Sequence, residues 1–230
     1  MGPVRRIALL GLLSLALPAR AWSQATCPPC AVELNTNGAP PDHAIVSAYT
    51  AAAFETTAAG KMGGYDLRAG TVRMAHPGTL GQLFVQAVDR YRVVGLPAGT
   101  PVPIVALYDV DGFAESPGCG GAGCHGYFGA QIARGGIVVR RVVEATFSGR
   151  VTLQETLQLP LDDVHAGTDI ELKYSLWFIR SSNGYHGEGT GRLRFAGLPE
   201  GARVESCQGY GTTPTPARES SWGRLKSVYR

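Results

Sequence analysis

Residues 82–94 run QLFVQAVDRYRVV, and their reading sets the fold class. Leu83, Val85 and Ala87 fall on one side of a two-residue alternation, with Gln82, Phe84 and Gln86 on the other. Successive side chains of a strand point to opposite faces, so this is the pattern of a half-buried strand. Outward from it the pattern recurs. Residues 65–75 (YDLRAGTVRMA) alternate apolar and polar, and residues 169–180 (DIELKYSLWFIR) make the most convincing strand of all. Residues 102–110, 127–133, 137–147, 150–159, 191–196 and 202–207 complete the series. Pro103 puts the start of its segment at a sheet edge or outside the ladder, because proline cannot donate to it. Residues 44–57 (AIVSAYTAAAFETT) open with β-branched and aromatic residues, although their alanine run also reads as a short helix.

Turn signals separate these segments: Leu96-Pro97-Ala98-Gly99, and a Gly-rich stretch over 111–126 that reads as a long loop. About eight to ten short strands between turns describe a sandwich or barrel. The expectation is an all-β protein with one antiparallel, jelly-roll-like β-sandwich over residues 43–211. An irregular arm (22–42) precedes it. A Pro-rich linker and tail (212–230) follow, with a short basic helix read from residue 220.

The first residues carry an export signal. Arg5 and Arg6 precede an eleven-residue apolar run, residues 7–17, and the small-residue pattern Ala19-Arg20-Ala21 closes it. A membrane-crossing helix needs about 20 residues. Residues 1–21 are therefore read as a signal peptide, with cleavage after Ala25 as the other option, and the localisation as periplasm, cell surface or medium. No later segment is long and apolar enough to span a membrane. The +3 net charge disappears with Arg5, Arg6 and Arg20, which leaves 18 basic against 18 acidic side chains. A nucleic-acid partner would call for a basic excess, so none is expected.

An oxidising destination makes disulfides the default for Cys27, Cys30, Cys119, Cys124 and Cys207. The short spacings favour local Cys27–Cys30 and Cys119–Cys124 loops with Cys207 left over. Alternatively, Cys207 ties the N-terminal arm to the last strand. Cys119-Gly-Gly-Ala-Gly-Cys124-His125 has the residue order of covalent haem attachment, but with a four-residue spacer and no helical flank. A metal site on Cys124 and His125 would need two more ligands. Cys27-Pro-Pro-Cys30 has redox spacing without the strand-then-helix setting that activates a thiol. Asp109, Asp111, Asp162 and Asp163 offer calcium oxygens, yet neither cluster matches an EF-hand loop.

Tyr174, Trp177 and Phe178 on the strong strand are candidate sugar-stacking rings, with Tyr185 and Tyr210 as further candidates; the competing reading is core packing. The nucleophile, zinc-protease and P-loop motifs are absent. Glu144 and Glu155 are carboxylates able to meet on a sandwich face, and nothing further selects them.

Residues 198–210 (LPEGARVESCQGY) follow a strand ending near Phe195. This phrase resembles the final strands of exported bacterial proteins of the PEP-CTERM and choice-of-anchor kind, over residues 167–211 only. The chain lacks the C-terminal membrane span and basic cluster of that kind. The resemblance implies an exported β-sandwich and brings no catalytic residue. The functional expectation is a non-catalytic structural or binding module with a carbohydrate or cell-surface partner. A haem, metal or redox protein built on Cys119, Cys124 and His125 is the alternative, and a cryptic hydrolase a further one. No cofactor is expected, with calcium and haem as the exceptions to test.

Overall fold

The structure is a computed structural model describing residues 27–28, 30–35, 43–48, 52–58, 60–78, 82–116, 125–146, 149–180 and 184–211. Among these residues there are thirteen strands and no helix. They are β1 (Cys30–Asn35), β2 (His43–Ala48), β3 (Ala53–Ala58), β4 (Lys61–Asp66), β5 (Thr71–His76), β6 (Gln82–Val94), β7 (Ile104–Ser116), β8 (His125–Arg134), β9 (Ile137–Thr146), β10 (Gly149–Leu161), β11 (Asp169–Arg180), β12 (His186–Ala196) and β13 (Arg203–Ser206). Sheet A has the order β2-β1-β6-β11-β8-β9, with β13 also on β6, and sheet B the order β10-β7-β12-β5-β4-β3. All pairings are antiparallel.

The eight strands β5 to β12 form one long rolled hairpin. Its tip is the Gly135-Gly136 turn, where Arg134 pairs with Ile137. From the tip, β8 pairs β9 in sheet A, β7 pairs β10 in sheet B, β6 pairs β11 in sheet A, and β5 pairs β12 in sheet B. Winding a hairpin so that successive pairs alternate between two sheets is the jelly-roll arrangement.

The alternation decides which face is buried. On β6, Leu83, Val85, Ala87, Tyr91 and Val93 are fully buried, while Phe84, Gln86, Arg90 and Arg92 lie on the outer side. On β11, Ile170, Leu172, Tyr174, Leu176 and Phe178 point inward. Sheet B answers these rings with space. Along β12 (HGEGTGRLRFA), Gly187, Gly189 and Gly191 occupy the inner face. A Cβ on Gly189 would stand 2.4 Å from Phe128 Cζ, so only glycine lets that ring lie against the strand. Tyr91 donates its hydroxyl proton to Tyr174 at 3.3 Å within this core.

One edge of β6 is shared by two strands. β1 pairs with Gln82–Gln86 and β13 with Tyr91–Val94. At their junction the Cys207 N–H donates to the Arg90 carbonyl at 2.8 Å, and a disulfide joins Cys27 to Cys207 across 180 residues of sequence. Asp89 is fully buried at the same place, accepting from the Arg90 N–H at 2.8 Å, the Gln208 N–H at 3.4 Å and the Ser206 hydroxyl.

Several boundaries differ from the sequence reading. β7 continues to Ser116, through residues expected to open a Gly-rich loop, and β12 begins at His186 rather than 191. Cys30–Asn35 is a strand inside the arm expected to be irregular, because it completes half of the β6 edge. Residues 65–75 straddle two strands, with a turn at 67–70 in which Asp66 Oδ1 accepts from the Arg68 and Ala69 N–H groups at 3.0 and 3.3 Å. Residues 44–57 contribute to β2 and β3. The readings on residues 1–26 and 212–230 lie outside the described residues.

Candidate functional site

The outer face of sheet A can be read in rows across β6, β11, β8 and β9. One row is Phe84, Trp177, Gly129 and Val142; the next is Gln86, Ser175, Gln131 and Arg140. Flanking them, Ile179 stands opposite Tyr127, and Tyr127 opposite Glu144. A cleft of about 330 Å³ opens here, lined by Gln82, Leu83, Phe84, Gln131, Arg140, Trp177 and Ile179.

Trp177 is the floor of this cleft. Its indole lies across Gly129, where a Cβ would stand only 2.2 Å from ring atoms, so the glycine creates the seat. On the solvent side the Arg140 guanidinium sits 4.5 Å from the ring centroid, a cation–π contact. Closed in this way, Trp177 keeps only 5% of its surface exposed. Phe84 is half-buried and forms the open aromatic wall, while Gln82 and Gln131 supply amide donors and acceptors. Between Gln86 and Gln131, Ser175 is fully buried and its hydroxyl has no hydrogen-bond partner among the described residues.

The other aromatic candidates are elsewhere. Tyr174 and Phe178 are fully buried, as the core-packing reading has them, and Tyr185 is a fully buried core residue too, which takes all three off the surface. Tyr174 lies on the inward phase of β11, and Tyr185 packs where a Cβ on Gly126 would stand 2.4 Å from its ring. Tyr210 is partly buried at the β13 end, its ring set edge-on to Tyr91 and Phe195 at 5.7 Å each. Only Trp177 of the proposed rings reaches the outer face of sheet A. Phe84 is the lining aromatic that the sequence reading misses, although its signal is visible: an aromatic on the largely polar phase of an amphipathic strand. Trp177 carries the same signal on β11, beside Lys173 and Ser175.

The polar candidates are engaged within the sheets. His125 pairs through Nδ1 with Glu144 and stacks on Tyr127 with ring centroids 6.0 Å apart. Glu155 takes Arg141 at 3.0 Å, so Glu144 and Glu155 serve different partners. Asp109 lies within strand β7, and hydrogen bonds from Arg194, chiefly, and from Thr156 hold its carboxyl below the usual range. Asp111 accepts from Gln154 at 3.1 Å, and Asp163 pairs with Arg134, which lowers its pKa. Asp109 and Asp111 thus lie within strand β7 and not in a turn, each with a side-chain partner on β10. Among the described residues no three His, Cys, Asp or Glu side chains gather as a metal set. Cys119 and Cys124 lie outside the described residues. The pairing of Cys27 with Cys207 follows the arm-to-last-strand alternative and replaces the local Cys27–Cys30 loop, since Cys27 is spent on Cys207.

No family model matches the chain, and no curated protein does. A solved structure described as "Family 16 Carbohydrate Binding Module-2" is similar with a TM-score of 0.24 and 9% identity, over 54% of this chain and 76% of that one. That likeness is too slight to bear on ligand or activity.

Proposed function

We propose that this is an exported, non-catalytic β-sandwich module that binds carbohydrate on the outer face of sheet A. The observation that carries the reading is the cleft bounded by Phe84, Trp177, Gln82, Gln131 and Arg140. A pyranose offers an apolar face of C–H groups and a rim of hydroxyls. Aromatic walls with a few convergent polar groups suit that combination. Among the described residues the lining contains amides, a guanidinium and apolar groups, and no carboxylate, imidazole or thiol. Such a lining supports recognition and has no group suited to proton transfer at neutral pH.

Affinity electrophoresis and calorimetry of the full chain against a panel of soluble polysaccharides test the reading. At least one polymer is expected to bind, and Phe84→Ala to weaken that binding about tenfold, as loss of a central aromatic contact does. Failure to bind any polymer, or binding unaffected by both Phe84→Ala and Gln131→Ala, would reject this face as the site.

A further inference from the structure

Among the described residues lining the cleft, Arg140 is the one charged side chain. Arg140 is exposed, on the edge strand β9, and among the described residues it forms no ion pair. Other arginines of the two sheets do: Arg92 with Asp169, Arg134 with Asp163, Arg141 with Glu155 and Arg194 with Asp109. The nearest acid along β9 on the same face, Glu144, is taken by His125. Arg140 instead lies over Trp177, a resting place that needs no anion.

Beneath that guanidinium the face is unfinished. Trp177 lies flat against Gly129 and would offer its outer ring face if Arg140 lifted. An occupant that draws Arg140 aside gains that aromatic face. A guanidinium leaves a cation–π contact readily for a charge-assisted, two-pronged pairing with a carboxylate or sulfate, which is the stronger interaction.

Resting on the binding role proposed above, we infer that the cleft selects an anionic saccharide, a uronate or a sulfate ester. The sugar's acidic group pairs with Arg140, and the sugar ring takes the place Arg140 leaves on Trp177. Arg140 is thus both the cover of the aromatic floor and the determinant of ligand charge.

The test uses matched polymers that differ only in charge: polygalacturonate against its methyl ester, and dextran sulfate against dextran. Each is titrated into the full chain, into Arg140→Gln and into Arg140→Lys. The charged member of at least one pair is expected to bind about tenfold or more tightly than its neutral partner. Arg140→Gln should erase that ratio and Arg140→Lys keep part of it, while raised salt weakens only the charged member. The two pairs separate carboxylate from sulfate as the recognised group. A ratio below about threefold in both pairs, or one that survives Arg140→Gln, overturns charge selection and leaves carbohydrate binding standing. If no polymer of either charge binds, the binding role itself falls, and this inference with it. Because Arg140 is exposed, neither variant removes a core contact, and unchanged thermal unfolding confirms that folding is not the variable.

Discussion

A carboxyl group enclosed where β1 meets β13 couples folding to pH. Burial of Asp89 raises its pKa from 3.8 to about 6, against the opposing hydrogen bonds from Ser206, Arg90 and Gln208. Between those two values the folded state holds the proton more tightly than the unfolded chain does. Stability therefore falls as pH rises from about 4 through about 6 and levels off above it. The shift corresponds to at most about 3 kcal/mol. Chemical denaturation across that range should show the decline, and Asp89→Asn should flatten it. Asp109 and Asp163, whose pKa values are lowered by arginine, act with the opposite sign, and only in more acid solution. A second residue-scale expectation concerns Gly129. A methyl group there collides with the indole of Trp177, so Gly129→Ala should cost about 1–3 kcal/mol in urea unfolding. The sequence showed Trp177 as a ring on a strong strand, and the phase of β11 assigns its face. The guanidinium above it was not legible, because Arg140 reaches Trp177 through the pairing of β8 with β9 and not through any local pattern.

Among the elements, β6 and β11 match the segments read from alternation, residue for residue at both ends. Each has one apolar and one largely polar phase, so the signal was complete within the segment. β7 and β12 were read short for a common reason. Glycine usually marks a turn, and Asp111-Gly112 and Gly187-Glu188-Gly189 look like turns in sequence. In the fold these glycines face inward and make room for rings: a Cβ on Gly112 would meet Phe128 at 2.3 Å. Their purpose is set by residues in the opposite sheet, which a local reading does not reach. β9 carries a different consequence. It is an edge strand of sheet A, with Ile137, Val138 and Val142 exposed at 60%, 54% and 44%. An apolar edge of this kind invites strand-to-strand association of unfolding molecules. Ile137→Lys and Val138→Lys should leave unfolding free energy within about 0.5 kcal/mol and reduce light scattering on heating.

At the scale of the whole molecule, an all-β sandwich or barrel was legible in the number and spacing of turn-separated strands, although thirteen strands are described where eight to ten were expected. The sharing of the β6 edge was not, since it joins segments at opposite ends of the chain. The Cys27–Cys207 bond closes that long circuit. Its removal by Cys207→Ala should cost about 2–5 kcal/mol in denaturant unfolding under oxidising conditions. Cys27→Ala should cost the same, and the double variant little more, because both remove one bond. Peptide mapping of the intact chain should recover the Cys27 and Cys207 peptides linked. The same seam sets a timetable. A chain growing from its N-terminus has β1 and β6 early and can join them at once, but the rest of that edge waits for Arg203–Ser206. Until those residues are made, Asp89 stands open to water with its charge at no disadvantage, and the thiol of Cys27 has no Cys207 to meet. The last strand therefore latches the first. A nascent chain arrested short of residue 203 keeps half of one edge of β6 unoccupied, however well the rest has wound.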